Sequence, residues 1–127
     1  MTEGGPPRPE RVRAYQLGHQ AERRAALALM LKGYRILGRR VRTPVVEIDL
    51  IAKRGGTIAF VEVKARISVG AAVEAVRPSL RRRLVRGSDI WLSRNPRYAA
   101  ATLRFDIMVV NPGRWPIHLP NAFETDQ

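Results

Sequence analysis

The chain has 127 residues, with no cysteine and only two histidines, His19 and His118. This composition excludes disulfide bonds and thiolate metal sites, and it disfavours a histidine-rich zinc site. The net charge of +12, from 23 basic and 11 acidic residues, is typical of a protein that binds a polyanion, most often nucleic acid. The alternatives are a solvated basic surface and an acidic protein partner.

Length and patterning favour one folded domain without a membrane partner. No apolar run of the chain reaches the ~20 residues of a membrane-spanning helix, and the N-terminus lacks a basic-then-apolar signal pattern. We therefore expect a cytoplasmic protein. Residues 1–10 are rich in Gly and Pro, which predicts a disordered tail, and residues 11–127 form the predicted domain.

A first helix is predicted to start near Arg11–Tyr15 and to run to about Lys32, because the segment is rich in Ala and Leu and Gly33 is a good C-terminal stop. Its apolar stripe at helical spacing consists of Ala14, Leu17, Ala21, Ala25, Ala28 and Leu29. Glu22 borders this stripe. It is either a third carboxylate directed toward a functional site or a solvent-facing residue paired with an arginine.

Three antiparallel strands are predicted to follow the helix. The first is the basic segment Tyr34 to Arg42, which we expect to bulge at Gly38. The other two are the β-type runs on either side of Gly55-Gly56. A glycine pair between such runs predicts a two-residue type I′ turn, because both residues can adopt positive φ. The turn fixes the register of the hairpin.

The predicted register brings four charged residues together, with Asp49 directly opposite Glu62 and Glu47 opposite Lys64. Opposed Cβ atoms in a hairpin lie roughly 4.5–5.5 Å apart, so facing carboxylates repel unless a positive charge lies between them. Lys64 is one candidate for that charge, and a divalent cation is another. Two carboxylates with an adjacent lysine suit metal-assisted hydrolysis of a phosphodiester bond. The alternative is a plain Glu47–Lys64 ion pair at a solvated sheet edge.

Alternation along the strands assigns the two faces of the hairpin. One face is wholly apolar and is expected to be core, with Val46, Ile48, Leu50, Ala52, Ala59, Val61, Val63 and Ala65. The other is apolar near the turn, where Ile51 meets Phe60, and charged further along. We interpret it as a partly covered face with a charged pocket at one end.

The second half of the chain predicts two more helical segments and two strands. Ala71 to Val76 is short and helix-prone, and a longer helix opens at Pro78-Ser79 and ends at Asn95-Pro96. Arg104 to Val110 is a fourth strand, and Trp115 to Leu119 is a short edge strand. The order α-β-β-β-α-β predicts an α/β fold in three layers, α/β/α, around a small mixed sheet of four to five strands.

The longer of these helices carries the densest basic patch of the chain. Its apolar face is predicted to consist of Leu80, Leu84, Gly87, Ser88 and Trp91, and the rest of its surface carries Arg81, Arg82, Arg83 and Arg86. Contact with nucleic-acid phosphates is the functional interpretation, and a solvated helix face is the alternative.

Several motifs spread along the chain carry a family resemblance. The two in the hairpin are Glu47-Ile-Asp-Leu-Ile51 and Phe60-Val-Glu-Val-Lys-Ala-Arg66. The others are Gly18-His-Gln-Ala-Glu22, Gly33-Tyr-Arg-Ile-Leu37, Glu74-Ala-Val76, Arg104-Phe-Asp106 and Ala122-Phe123. In this order they resemble the YraN-type uncharacterised bacterial proteins, which belong to the restriction-endonuclease-like PD-(D/E)xK nuclease superfamily.

The resemblance implies a fold and a chemistry for named residues. The metal-binding acids of the superfamily fall on Asp49 and Glu62, its catalytic lysine on Lys64, and the acid of its first helix on Glu22. Glu47 is expected to support the site by holding Lys64. The implied cofactor is Mg²⁺ or Mn²⁺, and the implied substrate is nucleic acid, with DNA favoured over RNA.

The chain departs from the family pattern at three positions. Val46 stands where Gly usually precedes Glu-Ile-Asp, Leu80 where a Lys is usual, and Arg40 where Asn is common. The missing Lys is expected to weaken phosphate binding, although Arg81 to Arg83 are adjacent.

Three functions are therefore compared. The first is a metal-dependent nuclease, with a homodimer as one way to bracket two strands. The second is a nucleic-acid-binding protein that keeps the fold without activity, and the third is a module that docks an acidic partner. Asp49, Glu62 and Lys64 together favour the first, because a surface for a polyanion gains nothing from two carboxylates.

Overall fold

The computed structural model describes residues 9–124, and within its first helix the side chains of residue 9 and of residues 18 onward. The elements in chain order are α1 (Pro9–Leu31), β1 (Arg35–Arg42), β2 (Glu47–Arg54), β3 (Thr57–Ala65), α2 (Val69–Ala75), α3 (Pro78–Arg94), a 3-10 helix (Pro96–Tyr98), β4 (Thr102–Val110) and β5 (Ile117–Phe123). No helix in this part of the chain is long and apolar enough to span a membrane.

The strands form one mixed five-stranded sheet in the order β1-β2-β3-β4-β5. Only β3 and β4 pair in parallel, while the other neighbours are antiparallel. A parallel pair needs a crossover connection, which α2 and α3 provide. The predicted α/β fold with helical layers around a small mixed sheet is confirmed.

Each face of the sheet buries its own apolar layer. The α1 side is built mainly from Ala25, Ala28, Leu29, Leu50, Val61 and Met108. The α2 and α3 side is built mainly from Ile51, Phe60, Leu84, Trp91, Phe105 and Phe123. Phe105 stacks on Phe60 and on Phe123 with ring centroids 5.6 and 5.3 Å apart, so the end of β5 is anchored in this second layer.

The hairpin of β2 and β3 has the predicted register from the turn as far as Leu50 opposite Val61. Its turn differs from the predicted type I′, because Gly55 has φ of 60° and Gly56 does not have positive φ. One positive φ at the first central residue is the pattern of a type II′ turn, which a glycine pair serves equally well. The predicted bulge of β1 is present, since its pairing shifts between Ile36 and Gly38.

Several element boundaries differ from the prediction. Helix α2 covers Val69–Ala75 instead of Ala71 to Val76, and β4 begins at Thr102 instead of Arg104. Helix α1 begins at Pro9, so the last two residues of the predicted tail are helical, and residues 1–8 lie outside the described residues. Strand β5 covers Ile117–Phe123 instead of Trp115 to Leu119. A register shift opposite Phe105 and a positive φ at Asn121 let the strand pass Pro120 and bury Phe123.

The predicted apolar face of β2 is wrong at Ile48, which lies on the opposite face of the sheet from Leu50. Ile48 and Ile51 both lie in the layer under α3, whereas Leu50 lies under α1. Regular alternation would place residues i and i+3 on opposite faces. The alternation is therefore interrupted at Asp49. Val46 also packs on the α3 side instead of with Leu50.

Helix α3 approaches the sheet closely at Gly87. A Cβ atom at this position would lie 2.6 Å from Cγ1 of Val46 and 3.4 Å from Oγ1 of Thr43. We expect Gly87→Ala to lower the free energy of unfolding by about 1–3 kcal/mol, because the tight packing outweighs the better helix propensity of alanine. Chemical denaturation measures the change.

Gly70→Ala is the matched control, because Gly70 is also helical and has open space around it. It should be neutral or slightly stabilising. Val46→Ala should restore stability in the Gly87→Ala background by removing the atom that clashes. Equal losses at Gly70 and Gly87 would contradict the packing explanation.

Candidate functional site

Strands β2 and β3 separate at the end of the hairpin that lies away from the turn. Their last paired residues are Leu50 and Val61, although β2 continues to Glu47 and β3 to Ala65. Beyond this point β2 stays paired with β1, and β3 stays paired with β4. The divergence opens a gap in the sheet, and the charged residues of the hairpin lie around it.

Asp49 occupies this gap. Its Oδ2 atom accepts a hydrogen bond of 2.8 Å from the backbone N–H of Val63. The side chain thus takes the place of the strand carbonyl that would satisfy this amide in a continuous ladder. The carboxyl group also contacts the carboxyl group of Glu62, which is buried. The predicted meeting of Asp49 and Glu62 occurs through their side chains rather than as a ladder pair.

Burial disfavours the ionised forms of both acids, and the charge of Glu62 adds to this effect at Asp49. Burial and the charge of Glu62 raise the pKa of Asp49 to about 7, against a partial opposing effect of the Val63 N–H and Lys64. Burial likewise raises the pKa of Glu62, although Lys64 and, more weakly, Arg83 favour its charged form. Carboxyl groups with raised pKa values in a cleft are typical of functional sites.

Lys64 pairs with the acid on its own strand. Its Nζ atom lies 3.1 Å from Oε2 of Glu62, because residues i and i+2 share a face of a strand. The predicted pair between Glu47 and Lys64 is not present. The strands have already diverged there, and Glu47 instead lies 3.5 Å from Nε of Arg42 on β1. The structure therefore does not support the predicted role of Glu47, because Glu47 does not contact Lys64.

Glu22 is held by β1 at the edge of the same region. Its carboxylate accepts a 2.8 Å hydrogen bond from Arg40 Nε and lies 3.7 Å from Arg39 Nε. Glu22 is buried, so it is not the solvent-facing residue of the alternative interpretation, but it does have arginine partners. A pocket of about 310 Å³ is lined by Glu22, Glu47 and Asp49.

Sequence reasoning missed Arg40 as the partner of Glu22. Arg40 has a positive φ of 51°, which is uncommon outside glycine and tolerated best by Asn and Asp. No local pattern in the sequence indicated this partner.

The carboxylate pair fits a hard divalent cation. Carboxylate oxygens are the ligands that Mg²⁺ and Mn²⁺ prefer, and such ions use one or two carboxylates with waters and phosphate oxygens. A cation between Asp49 and Glu62 would favour the ionised forms that burial disfavours. Across residues 9 and 18–124, no group of three or more acidic or histidine side chains is close enough to hold a metal. Glu22 and Glu47 thus do not complete a larger ligand set.

The predicted basic patch on α3 divides into two parts. Arg82, Arg83 and Arg86 are exposed, and the charge of Arg83 reaches Glu62. Arg81 is used within the fold, since its Nε donates a 2.8 Å hydrogen bond to the Val76 carbonyl and its guanidinium lies over the Phe123 ring. The exposed arginines lie on the helix that covers the Glu62 side of the sheet.

Neutralising Asp49 should stabilise the protein in a metal chelator. Because its pKa is raised from 3.8 to about 7, folding favours the protonated form, and wild-type stability falls as pH rises through this window. Asp49→Asn keeps an acceptor for the Val63 N–H. Because the asparagine does not ionise, the variant does not lose stability as pH rises through this window. We expect its free energy of unfolding to exceed that of wild type by about 1–2 kcal/mol at pH 8. The advantage should shrink toward pH 4.

Denaturation at several pH values measures this difference, and Glu47→Gln is the control because Glu47 is exposed. A constant advantage of Asp49→Asn at all pH values would contradict the electrostatic explanation.

The fold and the site define an α/β protein in which two strands of a mixed sheet diverge around a carboxylate pair and a lysine. Glu62 of this pair is buried and Asp49 is partly buried. The chain belongs to the uncharacterised protein family UPF0102, whose model matches residues 21–110. The matched segment runs from α1 to the end of β4 and includes the whole candidate site. The family's description names no activity, so it identifies relatives without specifying a chemistry.

Close relatives cover nearly the whole chain. A UPF0102 protein from a Chelativorans species is 52% identical over 120 residues, which is 94% of this chain and 97% of the relative. A UPF0102 protein from Mesorhizobium japonicum is 54% identical over 117 residues, which is 92% of this chain and 94% of the relative. The resemblance to a family of uncharacterised bacterial proteins is thereby confirmed.

Proposed function

We propose that the protein is a metal-dependent nuclease that hydrolyses phosphodiester bonds in nucleic acid, with DNA as the favoured substrate. The observation that carries the proposal is the contact between the carboxyl groups of Asp49 and Glu62, with Lys64 Nζ 3.1 Å from Glu62. A buried and a partly buried acid in contact are unfavourable in the fold by themselves. A cation bound for catalysis would offset this unfavourable contact.

Asp49 and Glu62 would hold Mg²⁺ or Mn²⁺, which polarises a phosphate oxygen and lowers the pKa of a bound water. The hydrogen bond from Val63 fixes the direction of the Asp49 carboxylate. Glu62 positions the Lys64 ammonium group beside the reacting phosphate. From there Lys64 orients the attacking water and stabilises the negative charge that develops on the phosphate.

The other acids have positioning roles in this proposal. Glu22 holds Arg40 beside the pocket through the 2.8 Å bond to Nε, and Glu47 holds Arg42. Arg40 lines this pocket, where a polyanion would arrive. Exposed Arg82, Arg83 and Arg86 would contact phosphates of the substrate further along. In this proposal the protein acts in the cytoplasm, and a homodimer would allow both strands of a duplex to be reached.

A non-catalytic nucleic-acid-binding protein is the second candidate, favoured by the exposed arginines of α3 alone. Its binding would fall steeply with salt and would not respond to metal.

One set of incubations distinguishes the two. Labelled single-stranded, duplex and branched DNA and RNA are incubated with Mg²⁺, Mn²⁺ or chelator, and both binding and cleavage are measured. The nuclease proposal predicts cleavage of at least one substrate that chelator abolishes, with binding retained. Binding of every substrate without cleavage in either metal would reject the nuclease in favour of the second candidate.

A further inference from the structure

A second polar cluster lies on the α1 side of the sheet. Its centre is Asp106 on β4, which is fully buried. The pairing of β4 with β3 places Asp106 opposite Val61, so it lies close to Glu62 along the strands. The two acids are on opposite faces, because alternation from Met108 places Asp106 on the α1 side and alternation from Phe60 places Glu62 on the α3 side.

Both oxygens of Asp106 are saturated by donors from the fold. Arg104 donates to Oδ1 through Nε at 2.9 Å and to Oδ2 through Nη2 at 2.8 Å. His118 Nε2 lies 2.7 Å from Oδ2, and the backbone N–H of Asn121 donates to Oδ1 at 2.9 Å. Asp106 therefore fixes Arg104 and His118 and leaves no acceptor for a ligand.

A pocket of about 420 Å³ opens beside this cluster, and its walls are Lys32, Tyr34, Arg54, Arg104, His118 and Pro120. Four of the polar wall residues present donors to it, namely Lys32, Tyr34, Arg54 and Arg104. His118 gives Nε2–H to Asp106, and its Nδ1 lies 3.0 Å from Lys32 Nζ, which leaves other ammonium protons of Lys32 available. The Tyr34 hydroxyl accepts from Arg104, so its own proton is available as well.

Arg54 is held at the pocket instead of extending from the turn. Its guanidinium lies 4.6 Å from the centre of the Tyr34 ring, and its Nη1 donates to the carbonyl of Lys32 at 3.2 Å. Within residues 9 and 18–124, no carboxylate forms a salt bridge with Lys32 or Arg54. Among the described side chains, the two pocket cations Lys32 and Arg54 thus have no acidic partner.

We propose that this pocket binds a phosphate group, with Lys32, Arg54 and the remaining N–H of Arg104 as its charged donors. A concave wall that offers several donors and no free acceptor matches a tetrahedral oxyanion, and charge-assisted hydrogen bonds are the strong ones. The convergence of donors favours a terminal phosphate, which presents more unesterified oxygens than a backbone diester. The inference is independent of metal and of cleavage, because none of these residues lies at the carboxylate pair.

The first test titrates the protein with inorganic phosphate in chelator, at constant ionic strength, with chloride as the reference salt. Thermal stability should rise with phosphate and not with chloride. Lys32→Ala and Arg54→Ala should each weaken phosphate binding by at least about fivefold, since each removes a charge-assisted donor. Lys53→Ala is the matched control, because it removes a cation from the same hairpin but does not line the pocket.

A second measurement uses the wild-type protein and therefore does not depend on whether the variants fold. Backbone amide NMR shifts in the wild type should change around Tyr34, Arg54 and His118 on addition of phosphate, and should not change around Arg83. No phosphate-specific stabilisation, equal weakening by Lys53→Ala, or shifts confined to α3 would each overturn the proposal.

The source of the phosphate is resolved by two further ligands in the same assay. A short oligonucleotide with a 5′-phosphate is compared with its dephosphorylated form, and a small sugar phosphate is compared with the free sugar. A preference for the phosphorylated strand that is lost in Arg54→Ala identifies a nucleic-acid terminus. Binding of the sugar phosphate without a strand preference identifies a small phosphorylated molecule. Both results support a phosphate pocket, and binding of neither rejects it.

Discussion

Replacing Lys64 by alanine is expected to lower metal-dependent cleavage by a factor of about 100 or more. The ammonium group lies 3.1 Å from Glu62 and is the cation beside the proposed reaction centre. Its loss would remove the group that orients water and stabilises developing charge. Nucleic-acid binding should change little, because most of the predicted phosphate contacts lie on α3. Single-turnover cleavage and equilibrium binding on the same substrate measure the two effects separately.

Lys53→Ala serves as the control for Lys64→Ala, since both remove a lysine from the same hairpin. Lys53 is near the turn, where its Nζ donates to the Gly55 carbonyl. It should retain cleavage within about twofold, as expected of a surface change away from the site. Parallel loss of binding and cleavage in Lys64→Ala would show that Lys64 acts in binding and would contradict its proposed role.

Asp106→Asn is expected to lower the free energy of unfolding by about 3–5 kcal/mol, because it breaks a buried ion pair and leaves its partners unsatisfied. The asparagine has one acceptor oxygen for donors that come from Arg104, His118 and Asn121. Its amide group would place two further N–H donors against them. Urea denaturation at pH 7 measures the loss.

Acidification should reduce the difference in the free energy of unfolding between wild type and Asp106→Asn. Burial alone would raise the pKa of Asp106, but hydrogen bonds from His118 and Arg104 outweigh it and lower the pKa below the usual value. A lowered folded-state pKa adds stability above the unfolded value near 4, which is lost as pH falls further. Asp89→Asn, at an exposed position of α3, should change stability by less than about 0.5 kcal/mol. Similar losses at both positions would contradict the network's role.

The hairpin is the part of the fold that local sequence specified best. Gly55-Gly56 between two β-type runs determined both the turn and the pairing from Leu50 with Val61 to Arg54 with Thr57. Turn chemistry acts over a few residues, so no distant information was needed. The exact turn type was not determined, because a glycine pair satisfies types I′ and II′ alike.

The divergence of β2 and β3 could not be read from the hairpin alone. It depends on β1 and β4, which keep pairing with the separated strands. Extrapolating the register correctly brought Asp49 and Glu62 together, but it wrongly placed Glu47 against Lys64. The interruption of alternation that sends Ile48 to the α3 side has the same non-local origin.

Long-range ion pairs were the other feature that sequence patterns did not reveal. Glu22 and Arg40 are 18 residues apart, and their contact depends on how α1 crosses β1. Arg104 and Asp106 share a strand face, so their own pairing was accessible from alternation. Tyr34 and His118 join them only through the packing of distant segments.

Direct titration with Mn²⁺, followed by electron paramagnetic resonance, tests the proposed cation site of Asp49 and Glu62 without relying on a substrate. We predict that the wild type binds one Mn²⁺ per chain, that Mg²⁺ competes for it, and that Asp49→Asn and Glu62→Gln each weaken binding at least tenfold. Glu47→Gln should bind Mn²⁺ as the wild type does. Absence of a saturable Mn²⁺ site, or a site that survives both Asp49→Asn and Glu62→Gln, would contradict a metal centre at the diverging strands.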